Sequence, residues 1–281
     1  MTNIENPGVD ALFDKASSLP SVPKVVEELI ESFHNDGVSI DEIAGKISAD
    51  QVLSAKLLRL ANSAYYHVSR EIGTVNDAVG MLGFVTVRTL VISSGLTGSF
   101  KSMPGINLPK FWMNSLLVAC LAKHLAKEAH LNRDLAFTVG MMHGIGQLLM
   151  RLSMPEEMLE IDKISDVMDP RRHEAERDTF GFDYAEAGAG LATHWRFPST
   201  ICTAIRRAPE PLAKETLDPM ACLIHLAAWR VRAEDNQLSA DEISAAWPDA
   251  VAKMISLDRD DILNNMPPLA ELTAGMEALI S

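Results

Sequence analysis

Cysteine is scarce: Cys120, Cys202 and Cys222 are the only three in 281 residues. An odd, widely spaced set inside apolar segments supplies no disulfide framework, so buried thiols in a reducing, cytoplasmic setting are expected. Long apolar runs are also missing. Residues 135–150 are uncharged but short, and hold His143 and three glycines; residues 78–100 are interrupted by Arg88 and four glycines. Neither suits a membrane span, and both read as buried helices of a large core. No basic stretch leading into an apolar one opens the chain, so no signal peptide is expected. Positive charge is in deficit, with 25 Lys and Arg against 38 Asp and Glu, a net charge of −13. That balance opposes broad nucleic-acid binding but allows a small phosphorylated ligand in a local pocket. Glycine (16) and proline (14) are near average, while 47% of residues are apolar and 22% charged, which excludes collagen-like, low-complexity and wholly disordered classes. Alternating β-branched runs, hairpin dipeptides between such runs and repeats of fixed period are all absent.

Compact catalytic motifs are missing too. None of the eight histidines forms HxH or HExxH, no CxxC exists, and GxSxG is absent. Gly188-Ala189-Gly190 is part of a dinucleotide fingerprint, but no strand precedes it and the third glycine position is Thr193. Small residues that let helices approach closely are the simpler reading. No cofactor is expected.

What is present is helical periodicity throughout, which predicts an all-α protein of many short helices. Val22, Val25, Val26, Leu29 and Ile30 recur at three- and four-residue steps behind Pro23. Ser39-Ile40-Asp41-Glu42 and Ser239-Ala240-Asp241-Glu242 read as capping boxes, and Thr74 to Asp77 as a cap-like start. Further helices are expected at Leu53–Ala61, Val87–Ile92, Phe111–Ala129, Leu135–Met150 (capped by Asn132), Tyr184–His194, Thr200–Arg206 and Met220–Arg232. Asp36-Gly37 reads as a turn, Gly83 as a break, and Lys101–Pro109 and Ala208–Pro219 as loops. Pro267-Pro268 precedes a last amphipathic helix. The loop at 101–109 divides two helical lobes.

A specific resemblance enters here. Leu19-Pro20-Ser21-Val22-Pro23, then Asp50, Leu53 and Leu57-Leu58-Arg59-Leu60-Ala61-Asn62-Ser63-Ala64-Tyr65-Tyr66, resemble HDOD domains. Ile72 to Leu82 with Leu82-Gly83-Phe84, Phe111-Trp112 with Ser115, Gly140-Met141-Met142-His143-Gly144-Ile145-Gly146 and Trp195-Arg196-Phe197-Pro198 are similar to later landmarks of that family, in order. The resemblance implies an all-α fold related to the HD phosphohydrolases, with an N-terminal helical bundle lobe. The expected organisation is a leader at 1–17 and an HDOD domain at 18–211, with an N-terminal lobe at 18–100 and a degenerate HD-like lobe at 110–211. C-terminal helices at 212–281 would complete or extend the second lobe. Met254, Met266 and Met276 there are candidate adaptable contacts for a partner.

HD enzymes hold divalent metal on His and Asp side chains, and the metal activates water and clamps phosphate. By resemblance, their His-Asp pair falls on His143-Gly144, an earlier His on Asn114, a later one on Tyr184, a His-His pair near Ala208-Pro209, and a late Asp on Ala228, after His225-Leu226-Ala227. Only His143 keeps a ligand side chain, so neither metal nor catalytic residues are expected. Asn114, His143, Tyr184 and Arg207 form the candidate ligand or partner pocket. Arg207 is included because it lies beside the lost His-His position and could fork onto a carboxylate or phosphate. Arg171-Arg172 reads as a solvated or ion-paired surface pair. His143 alone reads more readily as a core histidine satisfied by a backbone carbonyl or a neighbouring polar side chain than as a ligand. Asn62, Ser63, Tyr65 and Trp195 are expected to be structural. The function implied is a non-catalytic bacterial signalling module acting through a protein partner, with a possible small nucleotide ligand. A phosphohydrolase with unorthodox ligands and a nucleotide receptor without hydrolysis are the alternatives.

Overall fold

Several helices start where the sequence supplies a side-chain cap. The computed structural model describes residues 8–14, 19–34, 39–100, 103 and 105–280, so the turn expected at Asp36-Gly37 lies outside the described residues. Five helices build the first lobe: α1 (Lys24–Glu31), α2 (Ile40–Ala49), α3 (Gln51–Ala61), α4 (Val75–Leu82) and α5 (Phe84–Gly98). Asp50 Oδ1 accepts from the amides of Val52 and Leu53 at 3.0 Å, and Thr74 Oγ1 from that of Asp77 at 3.0 Å. Ser39 forms half of its expected box, accepting from the Glu42 amide, while the Glu42 carboxylate turns to Lys46 Nζ at 2.8 Å. Gly83 ends α4 and opens α5 at φ +83°, ψ 149°, backbone that a side chain would strain.

The second lobe follows with α6 (Leu108–Glu128), α7 (Arg133–Met142), α8 (Ile145–Ser153), α9 (Pro155–Asp162), α10 (Arg172–Phe180), α11 (Tyr184–His194), α12 (Ser199–Arg207) and α13 (Pro219–Asp235). Short helices α14 (Ala240–Ala245), α15 (Asp249–Met254), α16 (Arg259–Asn265) and α17 (Leu269–Thr273) complete the chain. Both halves of the box at Ser239 form. No strand occurs among the described residues, and no helix there is long and apolar enough to cross a membrane.

Three expectations shift. α6 starts at Leu108 rather than Phe111, because Asn107 Oδ1 caps the Lys110 amide at 3.0 Å and Pro109 is tolerated in a first turn. The helix expected over 135–150 is two, broken at His143-Gly144. Its cause is the packing of α8 on α11: a Cβ at Gly146 would lie 1.9 Å from the Tyr184 carbonyl oxygen and 2.5 Å from the Gly188 nitrogen. Uninterrupted apolar sequence conceals such a break. Residues 9–13 of the expected leader are docked, with Leu12 buried and Phe13 under α11 beside Gly190 and His194.

α6 runs through the centre, packed most extensively on α7 and also on α13 and α17. A continuous apolar core joins the lobes, from Leu29 and Ile30 through Leu57, Leu90 and Leu116 to Leu148, Leu191 and Leu223. The C-terminal helices α13 and α17 pack on α6 of the second lobe, and the final turn also reaches the first lobe. A 3₁₀ turn at Glu277–Leu279 packs on α3 and α5, and Thr97 Oγ1 donates to the Leu279 carbonyl at 3.1 Å. Met276 is therefore core and unavailable to a partner, whereas Met254 remains exposed. Trp195 Nε1 donates to the Pro20 carbonyl at 3.0 Å, and Arg196 pairs with Glu31 at 3.0 Å, tying α11 to the start of the first lobe.

Gly146→Ala is expected to lose at least about 3 kcal/mol of stability, because the methyl group meets backbone. Gly45→Ala, with nothing within 4 Å of the new methyl group in exposed α2, should gain about 0.5–1 kcal/mol. Urea denaturation of the two variants checks this contrast.

Candidate functional site

Side chains from five helices and one loop converge where α7 breaks into α8. Asn114 comes from mid-α6, His143 from the C-cap of α7, Gln147 from the first turn of α8, Tyr184 from the first residue of α11 and Arg232 from the last turn of α13. Asp169 comes from the loop between α9 and α10. Together with Phe111, Ser115, Gly144, Val167 and Met168 they line a cavity of about 30 Å³. That is space for one or two water-sized molecules and far below what a nucleotide fills.

His143 Nδ1 lies 2.7 Å from the Gly140 carbonyl. Burial pushes its pKa down to about 4, and the nearby Arg232 charge acts in the same direction. The ring is thus neutral at pH 7, donates through Nδ1 to that carbonyl and leaves Nε2 as an acceptor. Burial raises the Tyr184 hydroxyl well above the usual tyrosine range, so it stays protonated. Burial also lowers the Arg232 guanidinium from its ordinary value, opposed by Tyr184 and Asp169. Asp169 Oδ1 accepts from the Arg171 amide at 2.8 Å. Asn114 Nδ2 and Gln147 Oε1 are buried without a protein hydrogen-bond partner.

Charged groups clamp the loop that covers this cavity. Arg151 Nη2 donates to both Asp162 carboxylate oxygens at 2.6 Å, and Arg172 Nη1 to Asp162 Oδ1 at 2.8 Å. Arg172 also binds the Ser165 carbonyl and, through Nε, Glu176 at 2.9 Å. Glu176 Oε2 in turn accepts from the Tyr184 amide at 2.8 Å. Arg172 is 0% exposed, a buried ion-pair member, whereas Arg171 is exposed as a surface pair would be.

Asn114, His143 and Tyr184 share the cavity, but Arg207 does not. Its guanidinium binds the Thr216 carbonyl in the loop after α12. Proximity in sequence to the lost His-His position misdirected that choice. Arg232 supplies the cation instead; sequence reasoning missed it, although its position four residues beyond Ala228, on the same face of α13, is a usable signal. Gln147 and Asp169 had no comparable signal. The remaining motif residues are scaffold. Asn62 pins the loop after α3, accepting from the Ile72 amide at 2.7 Å and donating to the Leu58 and Ile72 carbonyls at 2.8 Å. Ser63 meets Gly275, and Tyr65 stacks edge-on against Tyr66 and lies 6.0 Å beneath Lys123 Nζ.

The lining does not suit a divalent metal. His143 and Asp169 are its only ligand-type side chains, Arg232 adds positive charge, and among the described residues no three His, Cys, Asp or Glu side chains converge on one point. A hollow of about 180 Å³ adjoins the cavity and shares Phe111, Asn114, Val167 and Met168 with it. Larger ones lie elsewhere, one of about 390 Å³ beside Trp195 and Glu31 and one of about 540 Å³ between α6 and α16.

An all-helical, HD-related fold with a small polar centre at the helix break defines the class of protein. The HDOD domain family model matches residues 19–211, and the chain belongs to that family. A crystal structure of a candidate phosphohydrolase from Shewanella amazonensis SB2B is similar over 96% of this chain and 98% of that one, with a TM-score of 0.79 and 32% identity. A candidate signal transduction protein from Marinobacter aquaeolei VT8 shares the fold, with a TM-score of 0.71 and 21% identity over 96% of this chain and 60% of that one. An uncharacterized protein of Treponema pallidum strain Nichols is 23% identical over 236 residues, 83% of this chain; the chain spans about half the length of that curated relative.

A histidine depressed by burial takes up its proton only at the expense of the fold. Its stabilising neutrality is complete above the unfolded value of about 6.5 and is lost as pH falls toward 4. NMR titration should show His143 neutral at pH 6 and titrating near 4. His143→Gln should flatten the fall in melting temperature between pH 6.5 and 4 relative to the parent.

Proposed function

We propose that this chain is a non-catalytic regulatory module of bacterial signal transduction, working in the cytoplasm through contacts with a partner protein. The observation that carries this reading is the composition of the centre. A neutral imidazole faces a guanidinium, an amide and a phenol across a space of about 30 Å³. Metal-assisted hydrolysis needs several deprotonated ligands, an open coordination position and room for a phosphate. The HDOD family membership and the signalling description of the Marinobacter relative support the same reading. A nucleotide at this centre would have to displace the clamped loop carrying Val167, Met168 and Asp169.

The test uses the purified full chain. Elemental analysis is expected to find well under one Mn, Fe or Zn per chain, and no turnover of phosphodiesters or nucleotides is expected above buffer. Calorimetry against cyclic and linear nucleotides should give no saturable heat. Cross-linking in cells of the source organism should recover one recurrent partner at native abundance. Turnover abolished by His143→Ala would establish an enzyme instead, and saturable nucleotide binding weakened by His143→Ala would establish a receptor.

A further inference from the structure

We propose that Arg232 has taken over the electrostatic place of a metal ion at the HD-related centre, and that the chamber it closes is a binding site for ordered water. This does not rest on the signalling reading, because it concerns what the centre holds and not what the chain contacts.

The first support is placement. By resemblance to HD enzymes, the late aspartate of a metal site falls on Ala228. Arg232, one helical turn further along α13, lines the chamber. A side chain that would attract a cation is thus absent, and a built-in cation lies one turn away. Asp169 faces it across the chamber and balances its charge, while His143 and Tyr184 stay neutral.

The second support is the hydrogen-bond inventory. Asn114 is 7% exposed and Gln147 3%; both line the chamber, and each holds one buried polar atom without a protein partner. Asn114 Nδ2 can only donate, Gln147 Oε1 can only accept, and His143 Nε2 accepts because Nδ1 carries the proton. A ligand must therefore accept from Asn114 and donate to Gln147 and His143. Water does both. A halide or phosphate would satisfy Asn114 and Arg232 but leave both acceptors unmatched and face Asp169. A metal cation would meet Arg232. The volume, about 30 Å³, also matches water.

The third support concerns Gly144. A Cβ there would make ordinary contact, 3.4 Å from the Phe111 ring. The position therefore accepts a Cβ; an aspartate there, completing a His-Asp pair, would bind the Arg232 guanidinium before any metal.

Two experiments decide the matter. A high-resolution crystal structure of the unmodified protein, grown with sodium bromide, should show water within hydrogen-bond distance of Asn114 Nδ2 and Gln147 Oε1 and no anomalous bromide peak. A bromide ion in the chamber, or Asn114 bonded directly to Gln147 with no water between, overturns the water assignment. Manganese binding, followed by the EPR signal of the free ion, should be undetectable in the parent and weak in Gly144→Asp. It should tighten at least about tenfold in Gly144→Asp combined with Arg232→Gln, because the competing cation is gone. Equal binding by the single and double variants, both shown folded by circular dichroism, overturns the role of Arg232. The crystallographic arm needs no variant and stands whatever the variants' stability.

Discussion

The approach of α8 to the first turn of α11, where Gly146 lies against the Tyr184 carbonyl and the Gly188 amide, admits no side chain at position 146. Much of the centre's geometry follows from that contact. Helix α7 ends at Met142, His143 is its C-cap, and α8 opens at Ile145. The imidazole can then fold back on the Gly140 carbonyl, which fixes its tautomer and presents Nε2 to the chamber. Tyr184, whose own carbonyl makes the close contact, is held in place with α11. Its amide is fixed independently by Glu176 at 2.8 Å. A packing constraint between two backbones thus brings a histidine and a tyrosine, 41 positions apart in sequence, to one cavity wall.

Glu176 connects that wall to the loop above it. Arg172 bridges Glu176, Asp162 and the Ser165 carbonyl, and Arg151 grips Asp162 from α8. Buried ion pairs of this kind contribute little net stability relative to apolar packing, since desolvation offsets the attraction. Their directional bonds do specify position. Breaking one partner would strand the others, so the loop end is tied to α8 and α10 in one geometry. Asp169 faces Arg232 because the loop is held there, and its remaining freedom is reduced by its bond to the Arg171 amide.

Local signals in the sequence were read well because their physics is local. The box at Ser239, the caps at Thr74 and Asn132, and the bounds of α11 depend on residues within one or two turns. The all-α class and family membership were likewise legible, since an ordered set of motifs spans most of the chain. Failures came where distant packing overrides a local pattern. Residues 135–150 are uncharged and carry no proline, so the expectation ran one helix through His143-Gly144, where the structure breaks it. Arg172 sits in a polar run and is nevertheless among the most deeply buried side chains. Helix α10 went unread for the same reason. The candidate site was legible at Asn114, His143 and Tyr184 only through the resemblance. Arg207, placed by its neighbours in sequence, lies outside the cavity, and Arg232, which lines it, is absent from the sequence-based set although it stands one helical turn beyond Ala228.

The motif residues and the centre residues divide between two tasks. Asn62 bonds the Leu58 and Ile72 backbone, Ser63 abuts Gly275 near the C-terminus, and Trp195 bonds the Pro20 carbonyl. Thr97 completes the set by binding the Leu279 carbonyl. Each contact ties loops or lobes together, and none reaches the chamber. These ties make strict demands on residue type, because a specific amide or carbonyl must be met. The motif residues Phe111, Ser115, His143 and Gly144 instead line the chamber, where Asn114 Nδ2 and Gln147 Oε1 have no protein partner.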